Sequence, residues 1–301
     1  WNLTTSGGTY TYIGKNNTQN AINQTASNVG GVFKNLSAAG NFANMTTYDP
    51  NFFNGKDNYI SIGGRTTNAG GTDTAAVVVA GKKMNDHVRI GGYIDQTLSH
   101  NGYNNIDVNF KIPLMGIMGV WNKSADQLGL QIKLANSYQS NNVTITRVTV
   151  GSSELAKGDT DIKAQSYIAE ASYKIYDSKH NLIFKHFGAL RYMKTELEGY
   201  TEKDVNLPIT YQDSQDENFA AIVGVKTYHN ISPKITLNGS LGLEHDINDN
   251  EANLKGDING ISAFNSASIG NDKNDTRVLA SLGIHNYLDS GGRFEVKGMY
   301  Q

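Results

Sequence analysis

Six charged residues stand out by their position in the pattern: Glu170, Lys174, Lys185, Arg191, Lys226 and Glu244. Each lies in a run where apolar and polar residues alternate, and each falls on the polar parity. Tyr167, Ala169, Ala171, Tyr173 and Ile175 alternate with Glu170, Ser172 and Lys174; Ile235, Leu237, Leu241 and Leu243 alternate with Asn238, Ser240 and Glu244. Residues two apart on a strand share a face, so the charges point away from the apolar side. Opposite charges on an enclosed polar face pair with one another, hold whatever lies between them, and set the local potential.

Bond-breaking chemistry finds little support. The seven histidines show no HExxH spacing. Ser240 and Ser281 have glycine neighbours but lack the G-x-S-x-G arrangement of a nucleophile elbow. Gly14-Lys15 and Gly81-Lys82 lack the glycine spacing and the following Ser or Thr of a phosphate-binding loop. Asp246, Asn248 and Asn250 open like a calcium loop, but Glu251 takes the place of its glycine and Asp257 that of its last glutamate. With no cysteine, disulfides and thiolate metal sites are excluded. The net charge of -2 gives no reason to expect nucleic acid as a partner. No metal and no cofactor is expected.

The elements that position the charges are strands. Hydrophobic residues make up only 38%, yet there are 16 tyrosines and 32 glycines and only 4 prolines, a balance that favours long paired strands. No apolar run reaches the roughly 18 residues of a transmembrane helix. A membrane reading therefore requires a closed barrel, the other structure that satisfies backbone groups in lipid. From Asn58 onward, segments of about ten residues alternate in polarity. Val88, Ile90, Ile94 and Leu98 oppose Arg89, Asp95 and Thr97. Ile106, Val108, Phe110, Ile112 and Leu114 oppose Asp107, Asn109 and Lys111. Leu128, Leu130, Ile132, Leu134 and Tyr138 oppose Gln131, Lys133 and Ser137.

A soluble sandwich also alternates, so the connections decide. Asn85-Asp86, Asn122 to Asp126, Asp177 to His180, Asn230 to Pro233 and Asp289 to Gly292 are short; Ser140 to Thr160, Glu198 to Glu217 and Asn248 to Asn274 are long. Short turns at one rim and long loops at the other are the pattern of an outer-membrane barrel. Tyr173, Tyr192 and Phe219 are candidates for its interfacial aromatic girdles.

The first 55 residues differ. Thr18 can cap a helix from Gln19 to Leu36, in which Ile22, Ala26, Val29, Phe33 and Leu36 recur at helical spacing. Its remaining surface is Asn, Gln, Ser and Thr, too polar for lipid but suited to a polar pore. Gly30-Gly31 weakens the helix by about 1 kcal/mol per glycine.

Read in order, several segments resemble the autotransporter β-domain of type V secretion. Asn58-Tyr59-Ile60-Ser61-Ile62-Gly63-Gly64-Arg65 is similar to its first strand. Val79-Ala80-Gly81-Lys82-Lys83-Met84 and Val88-Arg89-Ile90-Gly91-Gly92-Tyr93 are similar to its second hairpin element. Tyr167 to Tyr173 resembles the sixth strand, Phe187 to Tyr192 with Glu198-Gly199-Tyr200-Thr201-Glu202 the seventh and its exit, and Gly242-Leu243-Glu244-His245-Asp246 the end of the ninth.

The resemblance implies an all-β fold: a transmembrane antiparallel up-and-down β-barrel of 12 strands with an N-terminal α-helix in the pore. Residues 1–17 would be the C-terminal end of a passenger, 18–55 the pore helix and linker, and 56–301 the translocator barrel. Eleven strands can be placed, with 276–288 as the tenth and 293–301 as the eleventh. The twelfth, with its terminal aromatic, is missing or the count is off by one. Eleven strands would leave an open edge in lipid at several kcal/mol per unsatisfied group. The implied function is an outer-membrane anchor and translocator, a monomer that exports its own passenger to the surface of a Gram-negative cell. Its partners would be outer-membrane lipid, the passenger, the barrel assembly machinery and periplasmic chaperones. Some relatives cut themselves at a pore asparagine; Asn35, Asn41 and Asn44 are present here without a matching motif, so no enzyme activity is expected. A diffusion porin and an outer-membrane hydrolase are the rival readings. The porin needs no polar helix, and the hydrolase needs a nucleophile, base and orienter that cannot be assembled from this sequence.

Overall fold

The computed structural model describes residues 4–6, 9–11, 13–46, 57–151, 153–250, 252–258, 262–269, 276–288 and 293–300. The expected linker between the helix and Asn58 and the expected turn Asp289 to Gly292 lie outside these residues. A two-stranded hairpin, β1 (Thr4–Ser6) and β2 (Thr9–Thr11), precedes one helix, α1 (Ile13–Thr46). The strands that follow are β3 (Asn58–Asn68), β4 (Thr72–Lys83), β5 (Val88–Asn101), β6 (Ile106–Asn109), β7 (Leu114–Asn122) and β8 (Gly129–Thr146). Then come β9 (Lys157–Asp177), β10 (Leu182–Leu197), β11 (Tyr200–Thr201), β12 (Ile209–Tyr211), β13 (Ser214–Asn230) and β14 (Ile235–Asn250). The last four are β15 (Asn253–Ile258), β16 (Ser262–Ser268), β17 (Thr276–Tyr287) and β18 (Arg293–Tyr300).

Eleven of the described strands form a closed ring: β3, β4, β5, β7, β8, β9, β10, β13, β14, β17 and β18, each paired with the next. All these pairings are antiparallel except the closing one, where β18 runs parallel to β3 from Arg293↔Ser61 to Tyr300↔Asn68. The expected open edge is therefore not there. In an up-and-down meander with an odd number of strands, the first and last run the same way, so a closing ladder between them must be parallel.

The outer face carries an apolar band. Ile62, Ile94, Ile117, Leu134, Leu190, Val223, Leu241, Val278 and Leu282 are all more than 45% exposed on it. So much contiguous exposed aliphatic surface is the property of a wall that faces lipid. Tyr138, Tyr167, Tyr192 and Phe219 mark one edge of the band on four successive strands. Tyr167 and Phe219 both lie opposite Tyr192 in the register, and the Tyr167 and Tyr192 rings stack at 6.4 Å. Trp121 and Tyr173 lie toward the rim of short turns. No described helix is long and apolar enough to cross a membrane.

Beyond that aromatic row the strands continue. β9 has 21 residues, roughly 70 Å of extended chain at about 3.3 Å per residue, whereas a tilted crossing needs about 9–11 residues. Above the row the polarity inverts. On β9 the outward residues change from Ala171 and Ala169, past Tyr167, to Gln165, Lys163 and Asp161, while the inward ones change from Lys174 and Glu170 to Ala164 and Ile162. The expected long loop Ser140 to Thr160 is thus mostly strand: β8 and β9 stay paired up to Thr146↔Lys157. The expected strand Ile106 to Leu114 is also redrawn. Phe110 to Pro113 falls outside strand, Leu114 opens β7 in the ring, and β6 pairs the free upper edge of β8 through Ile106↔Ile145. A second sheet, in the order β11-β12-β15-β16, lies at the same end. Together these parts form a collar with an apolar interior and a polar exterior, built like a soluble domain. The calcium-like residues Asp246, Asn248 and Asn250 belong to β14, and Asp246 accepts from Arg277 Nη2 at 2.7 Å.

Candidate functional site

The barrel encloses α1. At about 1.5 Å per residue its 34 residues span about 51 Å, enough to pass through both the collar and the lipid-level lumen. It begins earlier and ends later than the expected Gln19–Leu36. The extra turns on the C-terminal side carry Ala38, Ala39, Gly40 and Ala43, small residues that fit a narrow pore.

The collar holds the N-terminal half. Ile22, Ala26, Val29, Phe33 and Leu36 share one buried core with Val143, Ile145, Ile162, Leu197, Tyr200, Ile209, Leu254 and Ile258. The main partner of this periodic apolar stripe is the apolar collar beyond the lipid level. Val148 N–H donates to Thr25 Oγ1 at 3.1 Å, tying the β8–β9 connection to the helix. A Cβ on Gly30 would meet backbone and one on Gly31 the ring of Tyr103, so something must shift to admit either. One built on Gly30 would lie 1.8 Å from the Ile269 carbonyl oxygen, and one on Gly31 would lie 2.2 Å from the Tyr103 ring. The glycines lower helix propensity and permit this close approach. Within the collar Arg147 lies 3.1 Å from the carboxylate of Glu202. Burial pushes the Glu202 carboxyl up from the usual carboxylate range, with Arg147 pulling against it.

The charged lumen holds the C-terminal half, where every residue from Asn35 to Met45 is buried. At the junction with the collar Ser37 Oγ lies 3.2 Å from Thr195 Oγ1, and deeper in the lumen Asn44 accepts from the Tyr93 hydroxyl at 2.9 Å. A helix of this sequence could not be buried on all sides by lipid; a polar wall makes its burial possible. Cavities of about 30 and 20 Å³ flank the last turn, each with room for a water or two.

The six charged residues selected from the sequence are all buried on the inner face. They fall into separate groups. Glu170 receives Lys185 Nζ at 2.8 Å and Lys226 Nζ at 2.8 Å, and also Lys133 Nζ at 3.4 Å. Arg191 pairs with Glu244, and Arg277, on the neighbouring strand, donates to Glu244 Oε1 at 2.5 Å. Lys174 lies opposite Lys185 in the β9–β10 register. Sequence reasoning did not single out Lys133, Arg277, Lys297 or the bidentate pair of Arg65 with Asp95 at 2.6 and 2.8 Å. The signal for Lys133 was available, since it alternates with Ile132 and Leu134. Parity gives the face of a residue and leaves open which inward residues meet across the lumen.

Three lysines of the wall also grip the end of the helix. Lys133 Nζ donates to Asn44 O at 2.8 Å, Lys226 Nζ to Met45 O at 3.0 Å, and Lys297 Nζ to Thr46 O at 2.7 Å. The last turn of α1 has no basic residue of its own, so the barrel supplies the cations that complement its negative end. Ser240 and Ser281 are hydrogen-bonded to each other at 2.6 Å across neighbouring strands. Among the described residues no group of His, Asp and Glu is arranged to hold a metal.

A closed wall, antiparallel but for its closing pair, with a lipid-facing aliphatic band, a charged lumen and an enclosed polar helix defines an outer-membrane β-barrel filled by its own N-terminal segment. Residues 51–298 match the family described as the Autotransporter beta-domain, and the chain belongs to that family. Membership places it in the outer membrane as a translocator domain and implies an attached passenger domain. Among solved structures it is similar to the translocator domain of autotransporter NalP from Neisseria meningitidis, with 17% identity, a TM-score of 0.47, and coverage of 77% of this chain and 75% of that one. No curated protein matches the chain.

Proposed function

We propose that this domain exports its own N-terminal passenger to the cell surface and then anchors and seals the membrane behind it. The observation that supports the reading best is the complete enclosure of a polar helix by a membrane barrel. The N-terminal half of α1 lies in the collar, at the rim of long connections, and its C-terminal end lies toward the short turns. On this reading residues 1–17 are the end of the passenger, the collar is on the outside, and α1 is the stretch that remains in the pore. The passenger crosses C-terminus first as a hairpin. With no phosphate-binding motif in the sequence, its folding outside supplies the drive. The barrel is inserted by the outer-membrane assembly machinery with periplasmic chaperones and works as a monomer. It is not catalytic: the inner wall is organised to grip a helix, and Asn44 is held within the last helical turn.

The test is single-channel conductance in a planar bilayer, comparing the whole chain with one lacking residues 1–55. A nearly closed whole chain and a large, steady conductance after deletion are expected, with the whole chain retaining its intact mass. Equal and large conductance in both would overturn the plug in favour of a diffusion porin, and loss of the N-terminal segment from purified folded protein would overturn the non-catalytic reading.

A further inference from the structure

The chain as a whole carries a charge of -2, but the foot of its lumen has the opposite sign. Among the described residues, the wall around the last turn of α1 presents five buried lysines, Lys133, Lys174, Lys185, Lys226 and Lys297, and Arg65, against three buried carboxylates, Glu170, Glu295 and Asp95, the last paired with Arg65. Arg293, also buried and paired with Glu295, adds to the excess. Glu170 is shared by three of the lysines, so it compensates them only in part. A row of carbonyl oxygens, those of Asn44, Met45 and Thr46, adds to the compensation by accepting from Lys133, Lys226 and Lys297. These oxygens carry the partial negative charge of a helix C-terminus, about half an elementary charge. The lysines are thus built around a negative ligand that belongs to the chain itself.

We infer that this lysine-rich foot is an anion site, occupied by the carbonyl end of α1 in the closed protein, and that it makes the lumen selective for small anions whenever the helix is displaced. Buried in the wall, with Lys133, Lys185 and Lys226 held by Glu170, Lys185 also by Gln131, and Lys297 by Glu295, these lysines remain directed into the lumen when α1 leaves. Rings of Lys and Arg at a constriction favour anions over cations by the field they focus there. The inference rests on α1 being a displaceable plug.

The experiment uses the whole chain in a planar bilayer across a potassium chloride gradient, with urea added and washed out to displace α1 reversibly. The reversal potential of the urea-opened current is read. A preference for chloride over potassium of about threefold or more is expected from such a ring. Lys133→Gln with Lys226→Gln should bring the ratio toward unity and increase spontaneous openings without urea. Lys174→Gln should lower the ratio as well. Equal permeability, a potassium preference, or a ratio unmoved by these changes would overturn the inference while leaving the plug intact. Absence of any urea-opened current would instead remove the plug, and the inference with it.

Discussion

At the scale of single residues, the lumen is a set of shared carboxylates. Glu244 illustrates the energetics. It is fully buried and holds Arg191, also fully buried, together with Arg277. Removing one partner of a buried ion pair leaves an uncompensated charge and costs about 3–5 kcal/mol. Glu244→Gln should therefore lower the unfolding free energy of the barrel by about that amount, measured by urea titration in lipid vesicles. A loss below about 1 kcal/mol would mean that lumenal water solvates the guanidinium groups freely and that the pair carries little. The inward direction of Arg191 and Glu244 was legible from alternation alone. That they meet each other was not, because they lie on strands that are not neighbours in the ring, with β13 between them.

At the scale of elements, the helix and the collar explain each other. A free segment with two adjacent glycines and an Asn-rich surface has weak reason to be helical. Packed in the collar, the same glycines let α1 approach Ile269 and Tyr103 more closely than any side chain permits. Gly31→Ala gains about 1 kcal/mol of intrinsic propensity, but forces a Cβ into the Tyr103 ring, an overpacking of about 1–3 kcal/mol. The substitution is expected to loosen α1, seen as faster proteolysis of the N-terminal segment and more frequent channel openings. Tyr103→Ala in the same chain should restore protection. A Gly31→Ala protein as protected as the parent would show that the ring moves aside at no cost. The helical spacing of the apolar stripe is legible in the sequence; the collar against which it packs is not. The collar residues that receive it, such as Val143 and Ile145, lay in a stretch read as loop, although they alternate with Asn142, Thr144 and Thr146.

At the scale of the whole molecule, one set of strands serves two solvents. Between the aromatic row and the short turns the wall is apolar outside and charged inside. Beyond the row it is polar outside, with pairs such as Lys163–Glu198 and Lys194–Glu196, and apolar inside. The two zones should respond oppositely to substitution. Leu241→Arg, in the middle of β14 and 59% exposed on the outer face, is expected to cost about 2–4 kcal/mol in lipid. Lys163→Leu on the collar exterior should change stability by less than about 0.5 kcal/mol. Urea titration in vesicles compares them directly, and equal costs would mean that the lipid boundary does not fall at Tyr138, Tyr167, Tyr192 and Phe219.

The sequence by itself determined what depends on a period of two. It carried the strands, the sidedness of their charges, the rim of short turns, and a polar N-terminal helix that lipid could not accept. Each follows from local alternation, turn chemistry or the cost of polar groups in hydrocarbon. Only the tertiary structure decided what depends on closure. The parallel pairing of β18 with β3 follows from an odd number of strands meeting around a ring. The collar follows from strands that outrun the membrane and must turn their apolar side inward once water replaces lipid outside. The grip of Lys133, Lys226 and Lys297 on the end of α1 requires three distant strands and a helix terminus to converge, and no spacing along the chain records that meeting.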